Sequence, residues 1–235
     1  MYLKTLEEII EIEGKIGYTF KDRSLIITAL THTSFVNELE QTDLKSNQRL
    51  EFLGDAILQV VTSEFLFNNY ANMPEGNLTK LRAKIVCEPN LHKTSEKLVL
   101  GKHLILSHSE GKTGGFKKPS IQSDMIEAII GAIYIDSGVK SAKKFIMDYI
   151  EMDPSKLKDN KDYKSTLQEY IQKISKSNVT YDSKVIPSSS HLKTFTSAVW
   201  HFDKKLGEGK GTNKKKAEQD AAKNALEKLG LVVNE

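Results

Sequence analysis

Between Leu50 and Phe67 the sequence LEFLGDAILQVVTSEFLF is apolar on almost every side at helical spacing, yet it carries Glu51 and Asp55 four residues apart. A helix without a broad polar face is predicted to lie buried at the centre of its domain, and residues at i and i+4 share one side of it. Gln48, Gln59 and Thr62 continue the same narrow polar stripe. The chain must therefore fold around a greasy helix that holds carboxylates, and whatever answers those charges decides what the domain can do.

The neighbouring sequence follows the same helical rule. Apolar residues recur at helical spacing in Leu25–Leu30, Leu78–Val86, Leu91–Leu98, Met125–Tyr134 and Ala142–Ile150. Breakers stand between them at Met73–Gly76, Glu88–Pro89, Gly111–Pro119 and Gly138. An all-α domain over residues 5–150 is expected. The polar stretch EMDPSKLKDNK, 151–161, reads as a linker. Beyond it the pattern changes to a short amphipathic helix from Asp162, strand candidates at Val179–Ile186, Thr194–Phe202 and Leu206–Thr212, and a final helix at Lys214–Leu229. An α-β-β-β-α order over 162–231 makes a compact α+β domain.

Charge is divided unevenly between the two parts. Residues 1–150 hold 18 Lys/Arg against 19 Asp/Glu, and residues 151–235 hold 16 against 12. A basic tail on a faintly acidic body suits a polyanion-binding module beside a domain with another task. The single cysteine, Cys87, excludes an internal disulfide and a thiolate cluster. No apolar run reaches the ~20 residues that span a bilayer, and the acidic start MYLKTLEEIIEIEG is unlike a secretory signal. A cytoplasmic protein is expected, without a membrane or a small-molecule organic cofactor.

A second greasy helix, Ser123–Asp136, carries Asp124 and Glu127 three residues apart on one face. Carboxylates gathered in a low dielectric cost several kcal/mol unless they are answered by opposite charge. Lysines on a helix surface are one answer. A divalent cation is another, since oxygen ligands suit Mg²⁺ or Mn²⁺, and such an ion can activate water against a phosphate. Spacing alone leaves both open.

The words around these acids go further. NQRLEFLGDAIL at Asn47–Leu58, ALTHTS at Ala29–Ser34, EGNLTKLRAKIV at Glu75–Val86 and KPSIQSDMIEAIIGAIYIDSG at Lys118–Gly138 together resemble the ribonuclease III family. The resemblance implies that Glu51, Asp55, Asp124 and Glu127 are the four metal-site carboxylates, with Glu51, Asp124 and Glu127 holding Mg²⁺ directly and Mn²⁺ able to substitute. It implies that Asp55 and Glu127 complete the site and position the attacking water. Glu75 matches an acid lining the same valley on the substrate side, and Phe52 matches an aromatic that enters a socket on a partner subunit. Gln48 stands where the family usually has Glu, and Asn77 where an acid is commoner. Arg49 and Arg82 are candidates for phosphate contact or for pairing with the acids. His32 is read as a histidine satisfied by neighbouring hydroxyls or backbone.

The last part resembles the double-stranded-RNA-binding domain through KSTLQEY at Lys164–Tyr170, HLKTF at His191–Phe195 and GEGKGTNKKKAEQDAAKNAL at Gly207–Leu226. By that resemblance Lys214 and Lys215 grip phosphates, Ser165, Gln168 and Glu169 touch 2′-hydroxyls in one minor groove, and His191 touches the next. Independently, Lys214–Lys216 open a helix, where free backbone N–H groups already favour phosphate. The expected protein is a homodimeric, magnesium-dependent endonuclease for double-stranded RNA. It leaves 5′-phosphate and 3′-hydroxyl ends with two-nucleotide 3′ overhangs and processes ribosomal RNA precursors and structured messengers. The alternative is a non-catalytic RNA-binding protein on the same scaffold.

Overall fold

A computed structural model describes residues 4–39, 43–157, 162–186 and 194–231, so His191 lies outside the described residues. The chain forms two compact units, Met1–Asp159 and Asn160–Glu235.

The first unit is helical. Its helices are α1 (Leu6–Ile16), α2 (Ser24–Leu30), α3 (Thr33–Glu38), α4 (Gln48–Asn69), α5 (Glu75–Ile85), α6 (Glu88–Lys97), α7 (His108–Lys112), α8 (Pro119–Ser137) and α9 (Val139–Tyr149). Local chemistry sets their ends. Thr5 and Glu8 form a reciprocal capping box at the start of α1, through bonds of 3.2 and 2.9 Å. Pro119 opens α8, where a missing N–H costs nothing. Pro89, expected as a breaker, likewise sits in the first turn of α6.

α8 is the axis of this unit. Ile126, Ile129, Ile130 and Ile133 are wholly buried, each contributing about 2 kcal/mol of burial. α4 crosses α8 at two glycines. A Cβ on Gly54 would overlap the Glu127 carbonyl oxygen, and one on Gly131 would overlap that of Leu50. The two helices thus meet backbone to backbone.

α4 does not lie at the centre as expected. It buries Gly54, Leu58, Val61, Thr62 and Leu66, while Phe52 (80% exposed), Phe67 (72%) and Val60 (62%) face outward. Apolar composition reports only that a face avoids water, and an open interface satisfies that as well as a core does.

The first part of the stretch 151–161 packs on the first unit. Met152 and Leu157 belong to the first core, a short 3₁₀ turn spans Pro154–Lys156, and Asn90 Nδ2 donates to the Glu151 carbonyl at 3.0 Å. Two apolar side chains in a polar stretch were enough to fasten it down.

The second unit holds α10 (Tyr163–Ser175), β1 (Thr180–Ile186), β2 (Thr194–His201), β3 (Lys204–Gly211) and α11 (Lys214–Lys228). The strands form an antiparallel sheet in the order β1-β2-β3. Leu167, Ile171, Val199, Leu206, Ala221, Ala222, Ala225 and Leu226 make its core. β3 alternates glycines with charged residues because α11 lies directly on it. A Cβ at Gly207, Gly209 or Gly211 would come within 3.0 Å of the backbone of Ala217, Ala221 or Ala225.

Candidate metal centre and nucleic-acid interface

The α4–α8 crossing brings Glu51, Asp124 and Glu127 together, with one carboxylate oxygen of each within 4.8 Å of the others. Each of the three is half-buried. Burial, then the charges of Asp55, Asp124 and Glu51, pushes the Glu127 carboxyl up to about 8. Burial, followed by Asp124 and Asp55, also raises Glu51. Asp124 is raised by burial, with His32 opposing and Glu88 adding to the rise. Metal-free, the cluster therefore keeps a proton that an isolated glutamate would have lost.

The donor set fits a hard divalent cation. All three ligands are oxygen, and oxygens held about 2.1 Å from one Mg²⁺ lie about 3–4 Å apart. The forces on Glu127 are burial and three like charges, the imbalance that a cation removes.

Asp55 is not one of the three. Gln59, one turn further along α4, donates Nε2 to both of its oxygens at 3.0 and 2.9 Å. The polar stripe that marked Gln59 in the sequence gave no hint of this role. Glu75 lines a cleft of about 430 Å³ with Ser63, Glu64, Phe67 and Arg82. Its α4 neighbours Ser63, Glu64 and Phe67 lie twelve to sixteen residues beyond Glu51, about 18–24 Å along the helix, and Glu75 is not part of the trio. Gln48 and Arg49 are exposed at the start of α4. Arg82 lines the same cleft as Glu64 and Glu75 and donates to Ser63 Oγ at 3.0 Å. His32 caps α3: its Nδ1 accepts the Ser34 N–H at 3.2 Å and lies 2.8 Å from Ser34 Oγ, as its sequence setting suggested.

In the second unit, Ser165, Gln168 and Glu169 line one shallow cleft of about 390 Å³ with Lys164, Val179 and Tyr181. Ser165 Oγ donates to Asp162 at 2.6 Å. The Gln168 side chain is already engaged, donating to Asn178 Oδ1 at 2.9 Å and accepting the Val179 N–H at 3.0 Å. It thereby shapes the turn into β1. Lys214 and Lys215 stand exposed in the first turn of α11, which Asn213 caps through the Lys216 N–H at 2.9 Å.

Known proteins bear on both units. The family model for Ribonuclease-III-like proteins matches residues 22–153, and that for the double-stranded RNA binding motif matches 163–229. Ribonuclease 3 of Clostridium perfringens is 42% identical over 227 residues, 95% of this chain and 95% of that protein. Ribonuclease 3 of Bacillus cereus is 43% identical over 219 residues, 92% and 89% of the two chains. A structure of the nuclease domain of Ribonuclease III from Campylobacter jejuni, described for flexibility in a region involved in dimer formation, superposes with a TM-score of 0.57. It is 45% identical and covers 61% of this chain and 96% of its own. A second structure of that domain gives 0.56 at 44% identity, covering 63% and 95%.

Proposed function

The chain belongs to the ribonuclease III family, and from that membership we propose that it cuts both strands of double-stranded RNA by metal-assisted hydrolysis. The observation that carries the proposal is the convergence of Glu51, Asp124 and Glu127 at the glycine crossing of α4 and α8. These three would hold Mg²⁺, or Mn²⁺ in its place. A bound divalent cation supplies positive charge to the phosphate and eases ionisation of water. Glu127 and Asp55 orient the attacking water and receive its proton. The water oxygen bonds to phosphorus as the bond to the 3′-oxygen breaks, and the leaving oxygen takes up a proton from solvent water, so that the ends are a 5′-phosphate and a 3′-hydroxyl.

One chain carries one such cluster, so cutting two strands takes two chains. The outward row of Phe52, Val60 and Phe67 on α4 supports a symmetric homodimer, Phe52 entering the partner, each subunit cutting one strand to leave two-nucleotide 3′ overhangs. The nuclease domain runs to about Leu157, since the core does. Lys214 and Lys215 grip phosphates, Ser165, Gln168 and Glu169 meet one minor groove and His191 the next, while Gln48 and Glu75 act on the substrate side. Substrates in this reading are ribosomal RNA precursors and structured messengers in the cytoplasm. Among the described residues no helix is long and apolar enough to cross a membrane.

Long duplex RNA incubated with and without Mg²⁺ tests the proposal. Magnesium-dependent shortening to duplexes with 3′ overhangs is expected. Binding without any cleavage would leave a non-catalytic RNA-binding protein. Lys214→Ala combined with Lys215→Ala should weaken duplex binding and reduce the slope of log affinity against log salt by about 1–2, through the loss of released counterions. A slope equal to that of wild type removes these lysines from the interface.

A further inference from the structure

The second unit contains an acid that a polyanion-binding surface should avoid. Glu218 lies one turn behind Lys214 on α11 and is only 9% exposed. Its Oε2 accepts from Lys164 Nζ at 2.6 Å, its Oε1 accepts from Ser183 Oγ at 3.3 Å, and Lys214 Nζ stands 3.9 Å away. Lys164 also lies over the Tyr181 ring, 4.7 Å from its centroid. The next residue, Gln219, reaches the same place. Its Nε2 donates to Asp162 Oδ1 at 2.8 Å and its Oε1 accepts the Lys164 N–H at 3.2 Å. Asp162 in turn caps α10 and accepts from Ser165 Oγ. Two adjacent side chains of α11 thus clasp the first turn of α10 through Lys164 and Asp162; Asp162 in turn holds Ser165, assigned to the minor groove, and Lys214, assigned to phosphate, stands beside Glu218.

We propose that Glu218, acting through Lys164, is a positioning residue that fixes the register between the groove-reading edge of α10 and the phosphate-gripping start of α11, and so gives the domain its preference for RNA over DNA duplexes. The inference rests on the RNA-binding reading above. A-form and B-form duplexes place phosphates at different distances from the minor-groove edge, and only RNA offers a 2′-hydroxyl. A rigid pair of contact sets suits one geometry. A loosened pair keeps its phosphate contacts and loses its choice. That explains why an acid is retained beside the lysines although like charge repels the ligand.

The test is equilibrium binding by the full chain, without divalent metal so that nothing is cut. Duplex RNA and duplex DNA of one sequence are compared over a range of salt, at about 20 base pairs so that each exceeds the ~16 such a module spans. Glu218→Gln is expected to lower RNA affinity about tenfold, as the loss of a charged hydrogen bond does. DNA affinity should not fall, because the acid that repels phosphate is gone, and both salt slopes should stay near wild type. Lys164→Met should act alike, and it serves alone if Glu218→Gln does not fold. Lys164→Arg, which restores the ion pair, should recover the preference. Parallel losses for RNA and DNA, or no recovery with arginine, overturn the proposal and leave the clasp a purely stabilising contact. A wild-type chain that binds neither duplex instead defeats the RNA-binding reading beneath it.

Discussion

Glu127→Gln is expected to lower cleavage by more than the roughly 100-fold typical of losing a residue that merely supports a metal ligand, and to raise the melting temperature of the metal-free protein at pH 8. Both effects follow from one carboxyl. Its folded-state pKa is raised from 4.5 to about 8, so the folded chain binds a proton more tightly than the unfolded one. The stability this contributes is complete below pH 4.5 and is lost as pH rises through about 8. After discounting for the water that reaches a half-buried group, the loss amounts to about 1–2 kcal/mol, or a few degrees in a chain of this size. The amide has no such loss. Wild type without metal should therefore melt at falling temperature between pH 6.5 and 8, and Glu127→Gln should not. Added Mg²⁺ should restore wild type at pH 8, because a ligand of the folded state stabilises it by mass action, and should scarcely move the variant. Melting curves at pH 6 and pH 8, with and without Mg²⁺, decide the matter. A wild type indifferent to both would mean that the trio is not a cation site.

Gly54→Ala should damage both stability and activity from a residue that touches no substrate. The new methyl would occupy the space of the Glu127 carbonyl oxygen, and backbone cannot turn aside as a side chain can. Overpacking ordinarily costs about 1–3 kcal/mol, and this position belongs at the upper end or beyond. If α4 moves about 1 Å from α8 to make room, Glu51 parts from Glu127, and a displacement of that size can cost about 100-fold in rate. Gly14→Ala is the control. It lies within α1, its Cβ would meet nothing within 4 Å, and alanine there should stabilise by about 0.5–1 kcal/mol. Gly54→Ala should lose both thermal stability and cleavage rate, whereas Gly14→Ala should gain stability and cleave like wild type. Equal behaviour would show that the crossing tolerates separation.

Much of this was legible in the residues, because helical periodicity and glycine or proline punctuation are local signals. The acids of α4 and α8 could be picked out by their greasy neighbours, although only the fold brings Glu51 within reach of Glu127. What escaped was contact between distant segments. Glu218 is one acid among several in α11, and nothing in its spacing points to Lys164. Gln59 looked like a continuation of a stripe, whereas it holds the Asp55 carboxylate. α4 was expected at the centre of its domain because a hydropathy pattern cannot tell a core from an apolar face left exposed. Met152 and Leu157 were too few to show periodicity, yet sufficient to tie down a segment expected to be free.

The glycine seams in both units limit how this protein can be made hardier. Where main chain rests on main chain, there is no void to fill and no larger aliphatic group to introduce, so the usual route of enlarging the interior is closed at both seams. A heat-tolerant version would have to gain its margin elsewhere, from better helix ends or from charge networks on the outside.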